Sequence, residues 1–439
     1  MDSAGLDSNV MAVCLGLFLV VCVLCVLLLQ FKRYILLFLW PIIIYFCGPL
    51  ITSIFSDAPV LRNYFFADAI ITETSIIFAY FVFFVVIDYF LDISSAVRSC
   101  FNGPAIAGLA QSSVFLLIYS SATTVASILQ MMILVEYGSV FTGEYVATGY
   151  VAGTIPFWGF LAGLYEIIFL CFVLFLLSGG KSKLRIFIIA LYVMTAALRV
   201  AGGTRLILIK ELAVICILLY LRGQIKRSRL VLVASIIVVM GTVIGFFRAH
   251  GELVSNVFGP LYGVAMESGL DALTFNVAYQ VQESGYVADH AELLKTVEFV
   301  ALNAIPSFLR VGVTQSDLDQ ISPYGEAHAQ FDTESPVGGM SGFATICYLS
   351  SYPLLSTLTL VLILSLLVKV TRQGSMKEIL VVVMSINAIH FWRDPIDIAV
   401  KNVVQDVVCA MTLLYLPAAY RAVISAWSRS AAQPSERSV

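Results

Sequence analysis

Apolar residues come in runs of about 20, long enough to cross about 30 Å of hydrocarbon as a helix, and polar residues are confined to the segments between. The runs lie near 10–29, 35–54, 69–91, 112–135, 157–178, 186–201, 205–221, 230–247, 343–368, 376–392 and 396–419, the sixth and tenth being short. The pattern predicts an all-α polytopic integral membrane protein of about eleven transmembrane helices, with a large extracytoplasmic loop containing short helices. It divides the chain into transmembrane helices 1–8 (1–247), the large loop (248–342), helices 9–11 (343–419) and a cytoplasmic tail (420–439). Within the loop, AELLKTVEFVALNAIP from Ala291 has helical apolar spacing, and Pro306 closes it. Turns are expected at SPYGE near Ser322 and SPVGG near Ser335. No internal repeat is evident.

Composition agrees with the runs. Charged residues are 12% and hydrophobic residues 60% of the chain, against roughly 25% and 45–50% in a soluble domain. Too few charges are present to clothe a water-facing surface, and hydrocarbon is the solvent that accepts such a chain. The first ten residues lack a basic segment, so the first run reads as a retained span rather than a signal peptide. The nine cysteines lie in the apolar runs or at their edges and none lies in the large loop, which implies no disulfide framework.

The distribution of charge sets the expected sidedness. Every second loop is basic: Lys32 and Arg33; Arg98; Lys181, Lys183 and Arg185; Arg222, Lys226, Arg227 and Arg229; Lys369, Arg372 and Lys377; Arg421, Arg429 and Arg437. Short cytoplasmic loops keep positive charge during insertion, which puts the N-terminus outside and the C-terminus in the cytoplasm. Residues 248–338 carry three basic and twelve acidic side chains, so that loop faces outward.

Several arginines depart from this bias by standing at outer span ends. Arg199 and Arg205 bracket the hairpin LRVAGGTR, Arg248 follows the eighth span, Arg310 lies in the loop, and Arg393 follows the tenth. Outer-edge arginines also snorkel to lipid headgroups. As a set, guanidinium groups delivered to one depth suit a lipid-linked phosphate or diphosphate, which they bind with paired hydrogen bonds. Deeper still, Lys210 and Glu211 are adjacent within the seventh span and cannot face each other. Each needs a partner on another helix, and Glu166, Lys401 and Asp406 are available; such contacts serve a structural ion pair or direct chemistry equally.

All four histidines, His250, His290, His328 and His390, fall on the expected outer side. Histidine is suited to take a proton from a sugar hydroxyl near neutral pH, and His328 and His290 are the first candidates; each is also compatible with a plain loop residue. His328, Asp332 and Glu334 lack the strict spacing of a metal site, so no metal is expected. The loop aromatics Tyr262, Phe308, Tyr324 and Phe331 could serve as sugar platforms or as the loop's own packing.

Gly203-Thr204-Arg205 opening an apolar span, Phe247-Arg248 at the start of the large loop, Ile305-Pro306-Ser307 within it and Pro336-Val337-Gly338-Gly339 leading out of it follow one another in a polytopic frame. Over about residues 195–400 this order resembles the O-antigen polymerase family, the Wzy-type polymerases of oligosaccharide repeat units. Thr204 stands where members carry serine, and Gly339 where they carry an acid. The resemblance implies a bacterial inner-membrane glycosyltransferase of surface polysaccharide biosynthesis, free of metal and cofactor. Its substrate would be a polyprenyl-pyrophosphate-linked oligosaccharide, and its partners membrane lipids and a chain-length regulator protein, with no nucleic acid. In that reading Arg199, Arg205, Arg248, Arg310 and Arg393 hold the pyrophosphate, and His328 or His290 accepts the hydroxyl proton. Glycan ligases share the layout and chemistry, and a transporter or flippase of lipid-linked glycans is a further reading.

Overall fold

The computed structural model describes residues 8–42, 67–109, 113–138, 158–178, 184–202, 205–233, 235–236, 274–276, 278–280, 283, 290–305, 317–318, 342–350, 352–371, 374–394 and 396–431. Among them the regular structure is helical, with no strand. The principal helices are α1 (Ser8–Gln30), α2 (Ala67–Leu91), α3 (Ile93–Phe101), α4 (Pro104–Leu109), α5 (Ser113–Tyr137), α6 (Trp158–Ser178) and α7 (Leu184–Ala201). They continue as α8 (Arg205–Leu221), α9 (His290–Ala304), α10 (Gly342–Leu349), α11 (Pro353–Val370), α12 (Ser375–Ile386), α13 (Ala388–Arg393) and α14 (Ile396–Ala431). Six of these, α1, α2, α5, α6, α11 and α14, are long and apolar enough to cross a membrane.

The surfaces follow the solvent. Leu19, Val23, Leu117, Met132, Val135 and Leu355 are exposed, as expected of side chains that meet lipid tails. Inward faces carry aromatic contacts: Phe172 of α6 stacks on Tyr192 of α7 with centroids 3.9 Å apart, and Trp392 of α13 meets Tyr80 of α2 edge-on at 5.0 Å.

Element bounds match the apolar pattern where it is continuous and depart from it where a side chain interrupts the backbone ladder. Helix α8 spans 205–221 as expected. Helix α9 runs from His290 to Ala304 and ends before Pro306, in agreement with the loop helix read from sequence; it packs along α14. The expected ninth span, 343–368, is two helices. Pro353 lacks an N–H and starts α11 at its first turn, so α10 stops at Leu349. The expected tenth span is likewise divided at Asn387 between α12 and α13. In the other direction α14 continues past 419, through Pro417, to Ala431, so the tail expected from residue 420 begins as helix. The second and eighth spans and most of the large loop extend outside the described residues.

Basic loops gather at one end of the bundle. Arg33 donates to Asp88 Oδ2 at 2.9 Å and pairs with Asp92 at 3.3 Å, joining the ends of α1 and α2. Lys32 lies over the Tyr220 ring, and the Tyr220 hydroxyl donates to the Leu29 carbonyl at 3.1 Å. Arg222 donates to the Leu177 carbonyl at 2.6 Å, joining α8 to α6. Close by, the Glu378 carboxylate accepts from the Ala105 amide at 3.0 Å and so caps α4.

Candidate functional site

A network of buried charge occupies the opposite half of the bundle. It begins with the two neighbours on α8. Residues one apart on a helix diverge by about 100°, and Lys210 and Glu211 accordingly turn to different helices. Lys210 donates to Glu166 Oε2 of α6 at 2.8 Å and to His390 Nε2 of α13. Glu211 accepts from Arg199 Nη1 of α7 at 2.5 Å and from the Tyr192 hydroxyl. The sequence requirement for separate partners is met, with Glu166 serving Lys210 as expected. Glu211 is served by Arg199 instead of a cation on α14.

Arg199 was expected at the rim as a diphosphate ligand. The structure sets it inside the bundle, 4% exposed, its guanidinium 4.2 Å from the Tyr165 ring centroid and bonded to Glu211. The Tyr165 hydroxyl donates to Gln130 Oε1 at 2.6 Å, which ties this arm to α5. Gln130 also presses on Gly202: a Cβ there would collide with its amide. Glycine therefore permits the close approach at the α7–α8 hairpin.

The second arm ends at His390. With Lys210 donating to Nε2, the ring proton sits on Nδ1 and donates to Asp394, one helical turn on. Glu166 Oε1 lies 3.5 Å from the same Nε2. His390 is one of the four histidines expected on the outer side and is not among the first candidates there; its signal in the chain is an Asp four residues on, Asp394, just past the end of α13. Asp406 of α14 completes the network, accepting from Asn387 Nδ2 at 2.7 Å.

Two contacts of the large loop end at the α13–α14 corner, while Phe275 and Ala278 of the same loop pack into the main core. Asn303, near the end of α9, donates to Asp397 Oδ2 at 2.5 Å. Gly342, where the chain leaves the loop, donates its amide to the Asp394 carbonyl at 2.7 Å, and a Cβ on it would lie 2.6 Å from the Phe391 carbonyl oxygen. Arg393 is the last residue of α13 and Arg205 the first of α8. The backbones carrying Arg199, Arg205 and Arg393 thus belong to helices joined by the Arg199–Glu211 and Lys210–His390 contacts. The side chains of Arg205, Arg393 and His290 lie outside the described residues, as do Arg248, Arg310 and His328 entirely. Among the described residues no group of three His, Cys, Asp or Glu side chains is arranged to hold a metal.

These helices define a multi-pass α-helical membrane protein with a charged interior. No protein-family model, no curated protein and no solved structure matches the chain.

Proposed function

We propose that this protein is a bacterial inner-membrane polymerase that joins oligosaccharide repeat units carried on polyprenyl diphosphate, with eleven spans and residues 248–342 on the outer side. The observation that supports it most is that the large loop is held at Asp394 by Gly342 and at Asp397 by Asn303. That corner adjoins Arg393 and the Lys210–His390 contact, where the arginine-bearing ends of α7, α8 and α13 meet. A loop fixed there is suited to cover sugars while the helix ends face the lipid-linked diphosphate.

In this reading Arg205, Arg248, Arg310 and Arg393 hold the diphosphate and offset the charge that grows on it as it departs. Arg199, fixed by Glu211, orients the α7–α8 hairpin behind them. The bond from the anomeric carbon of the growing chain to the diphosphate oxygen breaks. A bond from that carbon to a hydroxyl of the incoming unit forms, the hydroxyl proton passes to His328 or His290, and polyprenyl diphosphate leaves. The donor is already activated, so neither a nucleotide sugar nor a metal is needed.

A glycan ligase would use the same groups. An ion-coupled transporter or flippase is favoured by one observation, the Lys210–Glu166 pair buried within the spans, since intramembrane ion pairs also line transport paths. Product profiles from a deletion strain separate a polymerase from the other two. Surface glycan of single repeat units identifies a polymerase, and its absence identifies a ligase or a flippase. In the complemented strain, Arg205→Lys and Arg248→Lys are each expected to abolish most of the long-chain ladder, because an ammonium cannot reproduce paired guanidinium bonds. Full ladders from both variants at normal protein level would refute the diphosphate assignment.

A further inference from the structure

Three acids of the buried network each face a base: Glu211 has Arg199, Glu166 has Lys210, and Asp394 has His390. Asp406 has none. It lies on α14 about 15 Å along the axis from Ile396 and is 1% exposed. Its Oδ2 accepts from Asn387 Nδ2, which donates a second hydrogen to the Val383 carbonyl at 3.1 Å. Both amide hydrogens of Asn387 are therefore committed, and turning the amide over would set its oxygen against the Val383 oxygen. Two oxygens are left: Asp406 Oδ1 and Asn387 Oδ1, both buried, meet no donor from the protein.

The groups that act on Asp406 from its neighbours are Glu166 of α6, Lys210 of α8 and His390 of α13. The free thiols of Cys171 of α6 and Cys409 of α14 also lie close by. Lys401, five residues earlier on the same helix, points about 140° away. Lys210 is engaged by Glu166 and His390, so an ionised Asp406 would stand in the apolar interior with a neutral amide for its donor and Glu166 as a like-charged neighbour. A bridging water would satisfy the two oxygens but leave that charge with no cation of its own among the described residues.

One proton on Asp406 Oδ1 answers both demands. A carboxylic acid and a primary amide form a cyclic pair, the amide N–H donating to one carboxyl oxygen and the acid O–H donating to the amide oxygen. The first of these bonds is present, and the two oxygens without donors are those the second would join. We propose that Asp406 and Asn387 form a buried proton-binding site, with Asp406 holding its proton at neutral pH as a cyclic acid–amide pair. The site clamps the α12–α13 break to α14. Loss of the proton would set two carboxylates, Asp406 and Glu166, against each other beside His390, so the position of α13 depends on its occupancy. The inference is independent of the transferase reading.

The test is the infrared spectrum of the purified full-length protein in lipid nanodiscs. A protonated carboxyl group has a carbonyl stretch clear of the amide and carboxylate bands, and it moves down in D₂O. That band is expected in the wild type at neutral pH, is expected to shift on carboxyl-¹³C labelling of aspartate, and should be lost in Asp406→Asn. In Asn387→Ala it should persist and move up, as the bonds from the amide disappear. Asp406→Glu keeps an acid at the position and should yield a band that no longer responds to the aspartate label, which covers the case in which the asparagine variant fails to fold. No protonated-carboxyl band in the wild type, or an unchanged aspartate band in either Asp406 variant, overturns the proposal. Bleaching of the band by sodium at fixed pH overturns it in favour of a metal-cation site.

Discussion

At the scale of single residues, the interior is organised by the impossibility of Lys210 and Glu211 serving each other. A charge left alone within a span costs roughly 2.5–3.5 kcal/mol even on lenient insertion scales, so each side chain draws in a separate helix. Breaking a buried pair from one side leaves that charge behind, at a cost of about 3–5 kcal/mol. Arg199→Met and Glu211→Gln should each lower stability in detergent by that order. The double variant should recover much of the loss, because it removes both charges while the glutamine oxygen still accepts from Tyr192. Additive losses in thermal unfolding would show that Arg199 and Glu211 are not energetically coupled. The sequence made the need for partners legible, since two adjacent charges in RLILIKELAVICILLYL admit no other resolution. It did not reveal that Arg199 was one of them, because an arginine in the last turn of a helix reads alike whether it turns out to ligand or inward to an acid.

At the scale of elements, the apolar pattern located helices well where the hydrogen-bond ladder runs unbroken and failed where one residue interrupts it. Helices α8 and α9 follow from periodicity and from Pro306. The division of the ninth run needed weight on Pro353, whose missing N–H outranks the apolar residues around it. The division at Asn387 had a weaker signal: its side-chain amide takes the Val383 carbonyl and the Asp406 carboxylate together. Such breaks put His390 and Arg393 on a short helix held from several sides. Close packing between elements makes its own demand at Gly202, against which the Gln130 amide lies. Gly202→Leu should displace Gln130 from Tyr165 and cost about 1–3 kcal/mol, in line with overpacking elsewhere, measured as a lower unfolding temperature. An unchanged value would mean that the α7–α8 hairpin is not packed on α5 as described. The α6–α14 contact has a chemical readout: the free thiols of Cys171 and Cys409 are neighbours across it, so copper phenanthroline should cross-link the two spans in membranes.

At the scale of the molecule, charge is divided between two ends by different means. Lys32, Arg33 and Arg222 lie just beyond helix ends and Lys377 in the first turn of α12, and most bond to backbone carbonyls or to acids at helix ends. Arg199 and Lys210 are instead drawn into the opposite half, under the contacts that Gly342 and Asn303 of the large loop make. Translocation explains the division, since unpaired basic loops resist crossing the membrane while cations neutralised by acids within the bundle do not. The division becomes a prediction of sidedness. In a background with all nine cysteines replaced, a cysteine at Lys295, exposed on α9, should react with an impermeant maleimide applied to the outer face of the intact membrane. Cysteines at Lys226 and Lys369, exposed beyond α8 and at the end of α11, should react only after the membrane is opened. Labelling of Lys295 and Lys226 from the same side would place both ends of the eighth run in one compartment, and the loop could then no longer cover a substrate that arrives at the opposite face from the basic loops. Labelling from opposite sides would leave the diphosphate, the loop histidines and the arginine-bearing helix ends on one face, where a lipid-linked donor and acceptor can meet.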